Sequence, residues 1–474
     1  MIGVAEPVQA DAIPDVTNEG KIVQAHYDVV RKSFWTTNSR GGWIEVNEQS
    51  LRRLLRAQGF RGGKPLEGER LSELEQKLNE IQTSQDVAYA GPLAGHHSGL
   101  TESYGNRILV TTSPQLIEPA EGEWPVLDKL LKNLLVDGQY DQRPYLFGWV
   151  KIAYEALRAG NWRPGQAMGL AGPIGCGKSL LQNLFTVILG GRSAKPYRYM
   201  RGGTEFNAEL FGAEHLIIED EHSSTDIRSR RAFGSFIKQF TVNETQSCHA
   251  KNRQALTLTP FWRVSISVND EPEAMMVLPP MSDVEEDSLS DKLFLLRTLK
   301  AEMPMPTAEH DQRKAFWSTL IAELPAFVQS LTNWKVPEHL RHGRFGIRTW
   351  QHPKLLAALD ALAPETRLLA IIDEVLFADD LIQVGAGGNP LHVINNRSEW
   401  KGTAEKLEKK LFDSEFKYEA QRLLGWHSAT GSYLGRLAIK RPDRVKNART
   451  GTSRDWIIFR PAEAPTAQLC QEAA

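Results

Sequence analysis

The residues best suited to chemistry form a glycine-rich segment at positions 172–179. Its spacing is G-x-x-x-x-G-K-[ST], completed by Gly177, Lys178 and Ser179. Glycines let backbone N–H groups curl around phosphate oxygens, and the start of a following helix adds the positive end of its dipole. The pattern predicts a site for ATP with Mg²⁺. The predicted nucleotide-binding residues are Gly172, Pro173, Ile174, Gly175, Cys176, Gly177, Lys178, Ser179 and Leu180.

Two side chains of this segment have specific expected roles. Lys178 should bridge the β- and γ-phosphates, and Ser179 should hold Mg²⁺. An apolar strand at residues 166–171 is expected before the segment and a helix at residues 180–189 after it. The alternative is a glycine turn without a ligand, which the complete motif and its two flanks disfavour.

Carboxylates follow a second apolar run about 40 residues later in the sequence. Residues 216–218 are apolar, and Glu219 and Asp220 come directly after them. A strand would deliver both acids to its tip, where Asp220 is the expected Mg²⁺ ligand and Glu219 can polarise the attacking water. The alternative is a strand that ends in a solvated acidic turn.

A third expected strand, residues 262–268, ends at Asn269. A neutral amide at the tip of this strand could orient the γ-phosphate and the attacking water. On its own, Asn269 would be interpreted as a turn residue before Asp270. The two preceding motifs favour the catalytic interpretation.

The order of these motifs resembles the superfamily 3 helicases, which are AAA+-related ring motors of small DNA viruses, phages and mobile elements. The similarity is to the primase–helicase lineage of poxviruses and phages. It rests on the 172–179 segment, the compact spacing, the Glu219–Asp220 pair and the strand end at residues 267–269. The resemblance spans roughly residues 120–300. It implies an AAA+-like P-loop core that hydrolyses ATP and forms a ring, commonly a hexamer, on single-stranded DNA.

The same family carries a basic β-hairpin between the last two motifs. Here two strand-like segments, residues 240–242 and 255–259, flank His249, Lys251 and Arg253, and no acid lies between positions 249 and 253. In a ring, such a tip would point into the channel and contact the phosphate backbone. The alternative is an ordinary solvated hairpin.

Ring motors complete their site with a basic residue from the neighbouring subunit. Lys292 occupies the position where the family resemblance implies an arginine, and Arg297 lies late. Lysine is the poorer bidentate partner for a phosphate. Arg228, Arg230 and Arg231 are further candidates, so the sequence leaves this assignment open.

The last part of the chain, residues 400–462, is predicted to be a winged helix. Helical patterns at 403–411, 417–424 and 433–440 precede strand patterns at 444–448 and 455–459. From position 420 to 460 nine Lys and Arg stand against two Asp, a local charge of +7 in a chain of net charge −2. Such a basic patch is typical of a face that binds duplex DNA, although a winged helix can also bind proteins. The predicted DNA-binding residues are Tyr433, Arg436, Lys440, Arg441, Arg449 and Arg454.

The fold class predicted is therefore an α/β P-loop NTPase core with a mixed α/β amino-terminal region and a carboxy-terminal winged helix. In the amino-terminal region we expect a helix at 21–34, a strand at 42–46, a helix at 48–57 and a strand at 107–112. The predicted domains are a flexible tail (1–20), an α+β domain (21–120), a helical collar (121–164), the ATPase core (165–304), a helical region (305–384), a linker (385–399) and the winged helix (400–462).

Composition limits the remaining choices. The 474 residues include three widely spaced cysteines, which fit neither a disulfide framework nor a four-ligand zinc site and suit a reducing cytoplasm. No apolar run is long enough to span a membrane, and no secretory signal is evident. No zinc ribbon or D-x-D strand end is present, so we expect no primer synthesis.

The function predicted is an ATP-dependent DNA helicase or translocase of replication or of a mobile element, acting as a homo-oligomeric ring. One alternative is an AAA+ switch or helicase loader that does not unwind DNA. Another is a DNA-binding regulator whose nucleotide site only gates assembly.

Overall fold

The computed structural model describes residues 24–65, 68–219, 227–251, 254–279, 289–378, 380–382, 391–393, 395, 397–450 and 453–461. The chain divides into two compact units. Among the described residues the first unit contains 24–279 and 289–352, and the second contains 353–461. No helix within the described ranges has the length and apolar character needed to cross a membrane.

The amino-terminal part of the first unit is built from small sheets and two helices. Its elements are β1 (Ala25–Asp28), β2 (Ser33–Thr37), β3 (Trp43–Val46), α1 (Glu48–Ala57), α2 (Glu73–Ser84), β4 (Asp86–Val87), β5 (Tyr89–Gly91), β6 (Gly99–Ser103) and β7 (Asn106–Val110). One sheet has the order β3-β2-β1-β4, and the other has the order β5-β7-β6. The predicted strand at 42–46 and helix at 48–57 are confirmed.

The predicted helix at 21–34 is wrong over the residues that the structure describes. Instead β1 and β2 form an antiparallel hairpin, with Ala25 opposite Thr36. The Asp28 carboxylate accepts hydrogen bonds from the backbone N–H groups of Val30 (2.9 Å) and Arg31 (2.8 Å), which reverses the chain. This local competition for backbone donors favours a turn over a helix.

The rest of the first unit contains a parallel sheet covered by helices. Its elements are α3 (Pro125–Leu135), β8 (Val136–Asp137), β9 (Tyr140–Asp141), α4 (Arg143–Ala159), β10 (Ala167–Ala171), α5 (Lys178–Ile188), β11 (Ser193–Ala194), α6 (Tyr197–Met200), β12 (His215–Glu219), α7 (Ile227–Val242), β13 (Gln246–Cys248), β14 (Leu256–Leu258), β15 (Arg263–Val268), α8 (Pro272–Met275), β16 (Leu293–Arg297) and α9 (His310–Asn333).

All five strands of the main sheet are parallel, in the order β11-β12-β15-β10-β16. Its central strands β15 and β10 are buried along their length, as expected when both faces of a sheet are covered. Leucines and aromatic residues of α3, α4, α5 and α9 share one core with apolar residues of β10 and β16. In the register, Ala171 lies beside Val268 and Arg297, so the carboxyl ends of three strands meet at one edge.

The second unit combines helices with a three-stranded antiparallel sheet of order β19-β21-β20. Its elements are α10 (Pro353–Ala361), α11 (Pro364–Phe377), β17 (Asp380–Ile382), β18 (Leu391–Val393), β19 (Glu399–Thr403), α12 (Ala404–Phe412), α13 (Lys417–Leu423), α14 (Ala429–Lys440), β20 (Val445–Thr450) and β21 (Ser453–Phe459). The three predicted helices and two predicted strands of this region are present.

Helix α11 belongs to the core of the second unit. Its Leu368 and Ile372 lie in the same buried cluster as Leu434 of α14 and Trp456 of β21. The stretch expected as one helical region, 305–384, is thus shared between the units, with α9 in the first and α11 in the second. This arrangement determines which face of α14 remains accessible.

Candidate functional site

The 172–179 loop joins β10 to α5 at the carboxyl edge of the parallel sheet. Gly175 (φ 71°) and Gly177 (φ 109°) adopt the left-handed backbone conformation that side chains disfavour. A Cβ on Gly172 would collide with the backbone carbonyl of Thr298, whose own N–H donates to Ala171 O at 2.8 Å. The glycines therefore allow the loop to turn sharply and to pack directly against the segment that follows β16.

The buried Lys178 side chain bonds to carbonyl groups of this loop. Its side chain is 7% exposed, and Nζ donates to Gly172 O (2.7 Å), Pro173 O (2.9 Å) and Asn269 Oδ1 (3.0 Å). The structure therefore brings together two predicted site residues that lie 91 positions apart. An ammonium group held by carbonyl oxygens can exchange these acceptors for phosphate oxygens, which are stronger partners.

The start of α5 offers further donors. No side chain caps this helix, whose N-cap is Gly177, and Ser179 and Leu180 follow Lys178 in the first turn. The first N–H groups of a helix lack intrahelical acceptors and favour anions. Ser179 is exposed, Ile174 is exposed, and Cys176 is buried with Sγ 3.2 Å from Thr298 Oγ1. The predicted nucleotide-binding residues thus form one continuous segment, which runs from the loop into the first turn of α5.

Glu219 ends β12 on the same edge as the loop. In the register it lies beside Ser267, two residues before Asn269. Its Oε2 is 3.2 Å from Nζ of Lys195, a residue that is 70% exposed and that the sequence had not singled out. Asp220, the predicted Mg²⁺ ligand, lies outside the described residues. The hydroxyl of Ser179 and the carboxylate of Glu219 are oxygen donors of the kind that Mg²⁺ prefers.

A buried polar network ties the strands of the site to α5. Gln182 Nε2 donates to Ser265 Oγ at 2.8 Å, and Ser265 Oγ lies 2.8 Å from His215 Nε2. His215 Nδ1 lies 2.8 Å from Thr186 Oγ1, whose hydroxyl donates to Gln182 O. The neutral imidazole therefore donates from Nδ1 and accepts at Nε2. This network fixes the helix that carries Lys178 against the strands that carry Glu219 and Asn269.

Burial lowers the pKa of His215 from its ordinary value of 6.5 to about 3. Between these two values the unfolded chain binds a proton here that the folded chain does not, so the free energy of unfolding falls as the pH falls. From pH 7.5 to 5, wild type should lose about 2 kcal/mol more stability than a His215→Gln variant. Urea unfolding at both pH values measures this, and equal losses in the two proteins would contradict it.

Two of the sequence candidates for a trans-acting base, Lys292 and Arg297, lie at opposite ends of β16. Arg297 ends β16 beside Ala171, on the edge of its own loop, and its Nη1 is 2.6 Å from Asp137 Oδ2. Lys292 precedes β16 at the other edge, with Nζ 2.6 Å from Asp291 Oδ1. Both cations are engaged within their own chain. Arg228, Arg230 and Arg231 belong to α7, and their side chains lie outside those that the structure describes.

The predicted strand at 240–242 is wrong, because these residues end helix α7. The basic turn is instead flanked by the antiparallel strands β13 and β14, and β14 lies within the predicted strand at 255–259. Asn207 fastens the base of this hairpin, because its Oδ1 accepts from His249 N (2.7 Å) and its Nδ2 donates to Ser247 O (2.9 Å). Lys251 is exposed in the turn, whereas Arg253 lies outside the described residues. The half-exposed ring of Phe206 contacts His249 edge-on at 5.4 Å between centroids, which places an aromatic residue beside the basic turn.

Sequence reasoning had not identified Phe206, and its only signal was an aromatic residue in a polar stretch. In the structure this ring and the basic turn offer both a stacking surface and a cation. These are the two elements with which proteins hold single strands of nucleic acid.

In the second unit, the basic residues of α14 are largely engaged. Lys440 Nζ lies 3.0 Å from Glu365 Oε1 and 3.3 Å from Asp360 Oδ1, and Arg436 Nη1 lies 3.6 Å from Glu365 Oε2. Burial alone would raise the pKa of Glu365, but the hydrogen bond and charge of Lys440 hold this pKa below its usual value. Tyr433 is 7% exposed and packs in the core. Helix α11 therefore occupies the face of α14 that the sequence assigned to DNA.

In the described part of the chain, the cations of the β20–β21 hairpin lie over aromatic rings instead of pairing with carboxylates. Exposed Lys446 lies over the ring of Phe459 (5.2 Å), and exposed Arg454 lies over the ring of Trp456 (4.9 Å). Neither pairs with a carboxylate among the described residues. The side chain of Arg449 lies outside those described, and Arg441 pairs with Asp443 at 3.3 Å. The available positive charge of this unit thus includes the hairpin.

Comparison with known proteins gives a likeness of fold. The chain is similar to the NrS-1 C-terminal region: an apo structure of its residues 305–718 aligns with a TM-score of 0.50 at 12% identity, covering 93% of this chain and 96% of that chain. An A-form apo structure aligns with a TM-score of 0.49 at 13% identity, covering 93% and 97%. A JCV helicase aligns with a TM-score of only 0.21 at 13% identity, covering 52% and 67%. No family model and no curated protein matches the chain.

Proposed function

We propose that this chain is an ATP-dependent DNA helicase or translocase with an AAA+-like P-loop core. The observation that carries the proposal is the position of Lys178, whose Nζ joins the carbonyls of the 172–179 loop to the Asn269 amide. A lysine held inside a glycine loop at a helix start, next to a polar strand end, is the arrangement that phosphoryl transfer from ATP requires.

Each residue at this edge has a proposed role in hydrolysis. Lys178 and the N–H groups at the start of α5 would hold the phosphates, and Asn269 would orient the terminal phosphate and the water. Glu219 would accept the proton of the attacking water once its carboxylate leaves Lys195. Ser179 and Asp220 would hold Mg²⁺, which neutralises charge on the phosphate oxygens when bound.

Two surfaces are proposed for DNA. The β13–β14 hairpin, with Lys251, Arg253 and His249, would contact a single strand in the channel of a homo-oligomeric ring, which the family resemblance implies to be a hexamer. The second unit is proposed to be a winged helix that binds duplex DNA. Because the α14 cations pair with Glu365 and Asp360, the β20–β21 hairpin is the better-supported contact.

Replacing Lys251 by alanine should abolish strand separation, because this exposed cation of the hairpin turn is proposed to hold the DNA strand. ATP binding should remain unchanged, because Lys251 is not part of the 172–179 loop. A forked-duplex unwinding assay beside an ATP-binding titration measures both properties. Lys129→Ala, at an exposed position of α3, is the matched control. Unwinding that survives the Lys251 change would sink the channel role and favour an AAA+ switch or loader.

A further inference from the structure

Helix α1, in the amino-terminal part of the first unit, carries positive charge on its outer side. Its inner side is apolar, because Leu51 and Leu55 lie in one buried cluster with Phe34 of β2. Arg53 is exposed on the opposite side, since positions 51 and 53 are about 200° apart around a helix of 3.6 residues per turn. From position 49 to position 66 the sequence contains five arginines and lysines and no acid. The outer side of α1 therefore begins a basic stretch that continues beyond the helix.

The loop after α1 extends this charge in space as well as in sequence. Arg56 lies in the last turn of α1, and its side chain packs against Gly62, where a Cβ would be 3.5 Å from Nε and 3.6 Å from Nη2. Arg56 thus lies beside the exposed loop that carries Arg61 and Lys64. Together with Arg53, these three cations are called the α1 basic patch below.

The four cations of the α1 basic patch are exposed, and none of their side chains forms an ion pair or a hydrogen bond with another described residue. The nearby Glu48 pairs with Arg52 at 2.8 Å and does not neutralise the patch. Like charges three positions apart on a helix repel each other, as Arg53 and Arg56 do, so the arrangement does not serve the stability of α1. Clustered cations without interleaved acids are typical of a surface that binds a polyanion.

The loop that carries half of the patch is anchored at its start. Phe60 is 3% exposed in the buried cluster, and the N–H of Arg61 donates to Glu73 Oε2 at 3.0 Å. The following Gly62 and Gly63 are exposed, and their N–H groups have no acceptor within the described ranges. Backbone N–H groups beside cations are common donors to the phosphate oxygens of DNA. The loop can therefore contact phosphates with its backbone as well as its side chains.

The chemistry of this surface fits duplex DNA better than a single strand. Sites for single strands combine cations with exposed aromatic rings that stack on the bases. Phe60 is the only aromatic residue from position 47 to position 84, and it is buried. Duplex DNA keeps its bases stacked and presents one negative charge per about 1.7 Å of its axis. Guanidinium groups match its phosphate oxygens with planar N–H forks.

We infer that the α1 basic patch binds the phosphate backbone of duplex DNA without regard to base sequence. The inference rests on the proposed function, which brings a DNA duplex to this chain. It adds a duplex contact on the first unit to the β20–β21 hairpin of the second unit. Contacts to phosphates carry no direct sequence information, and they let a protein slide along DNA. Such a contact therefore suits a motor that moves over every sequence.

Reversing two charges of the patch, Arg53→Glu with Lys64→Glu, tests the inference in the full chain. The change is made in the Lys446→Glu, Arg454→Glu background, which removes the proposed hairpin contact. The remaining affinity for duplex DNA should fall by about 10-fold or more at 0.1 M salt. The plot of the logarithm of affinity against the logarithm of salt concentration should become less steep by about two phosphate contacts. Fluorescence anisotropy with a labelled duplex, and separately with a labelled single strand, measures both quantities.

The matched control is Lys129→Glu with Lys314→Glu in the same background, which reverses two exposed lysines of α3 and α9 and changes the net charge equally. This control should keep its duplex affinity. The milder change Arg53→Ala with Lys64→Ala should give a smaller loss than the reversal, and its urea unfolding should match that of the background.

The outcomes separate this inference from the proposed function. The inference is overturned if the patch variants keep their duplex affinity, if the control loses as much, or if affinity for the single strand falls more than affinity for the duplex. A wild type that neither turns over ATP nor separates strands would refute the proposed function alone, because the loss of duplex binding in the patch variants does not depend on ATP.

Discussion

Replacing Lys178 by alanine should lower ATP turnover by about 10²–10³-fold, the usual loss when one preorganised donor to a developing charge is removed. The physical reason is the position of Nζ, which lies within 3.0 Å of Asn269 Oδ1 and 2.7 Å of Gly172 O. Its charge is thus fixed at the place proposed for the terminal phosphate. Steady-state turnover and an ATP-binding titration measure the effect.

The fold should survive this substitution, because the Lys178 amine bonds mainly to loop carbonyls that water can also satisfy. The matched control is Lys300→Ala, which removes an exposed lysine two residues after Thr298 and should keep normal turnover. If Lys178→Ala turned over ATP at the wild-type rate, the 172–179 loop could not be the catalytic site.

Reversing two charges on the β20–β21 hairpin, Lys446→Glu with Arg454→Glu, should weaken binding to duplex DNA by about 10- to 100-fold at 0.1 M salt. The plot of the logarithm of DNA affinity against the logarithm of salt concentration should also become less steep, by the amount that corresponds to about two phosphate contacts. These side chains are exposed, and neither pairs with a carboxylate among the described residues. Fluorescence anisotropy across a salt series measures both quantities.

The matched comparison is Lys440→Ala, which removes a cation from α14. Its amine pairs with Glu365 and Asp360, so its loss should cost about 1–3 kcal/mol of unfolding free energy and change DNA affinity little. If Lys440→Ala weakened DNA binding more than the hairpin double variant, α14 would be the contact that the sequence had predicted.

The local elements of this chain are largely predictable from its sequence. Helix α1 has the predicted bounds because Asn47 caps it by accepting from Ser50 N and its leucines repeat at helical spacing. The hairpin at β1–β2 was missed because its periodicity also fits a helix. The Asp28 side chain decides between the two by capturing the N–H groups of the turn.

Contacts between residues that are distant in the sequence were much harder to predict. The meeting of Lys178 with Asn269 could be expected, because parallel strands deliver their carboxyl ends to one edge. By contrast, the pairing of Lys440 with Glu365 joins residues 75 positions apart, and no motif marks it. Counting charges along the sequence therefore overstated the basic surface of α14, because a count does not reveal which cations form ion pairs with carboxylates of the same chain.

Strand separation by the full chain tests the central claim most directly. A forked DNA duplex is mixed with the protein and Mg²⁺, with either ATP or a non-hydrolysable ATP analogue, and the release of the labelled strand is followed. The account predicts that strands separate with ATP and stay paired with the analogue. Equal release with both nucleotides, or steady ATP turnover without any release, would contradict an ATP-driven motor on DNA.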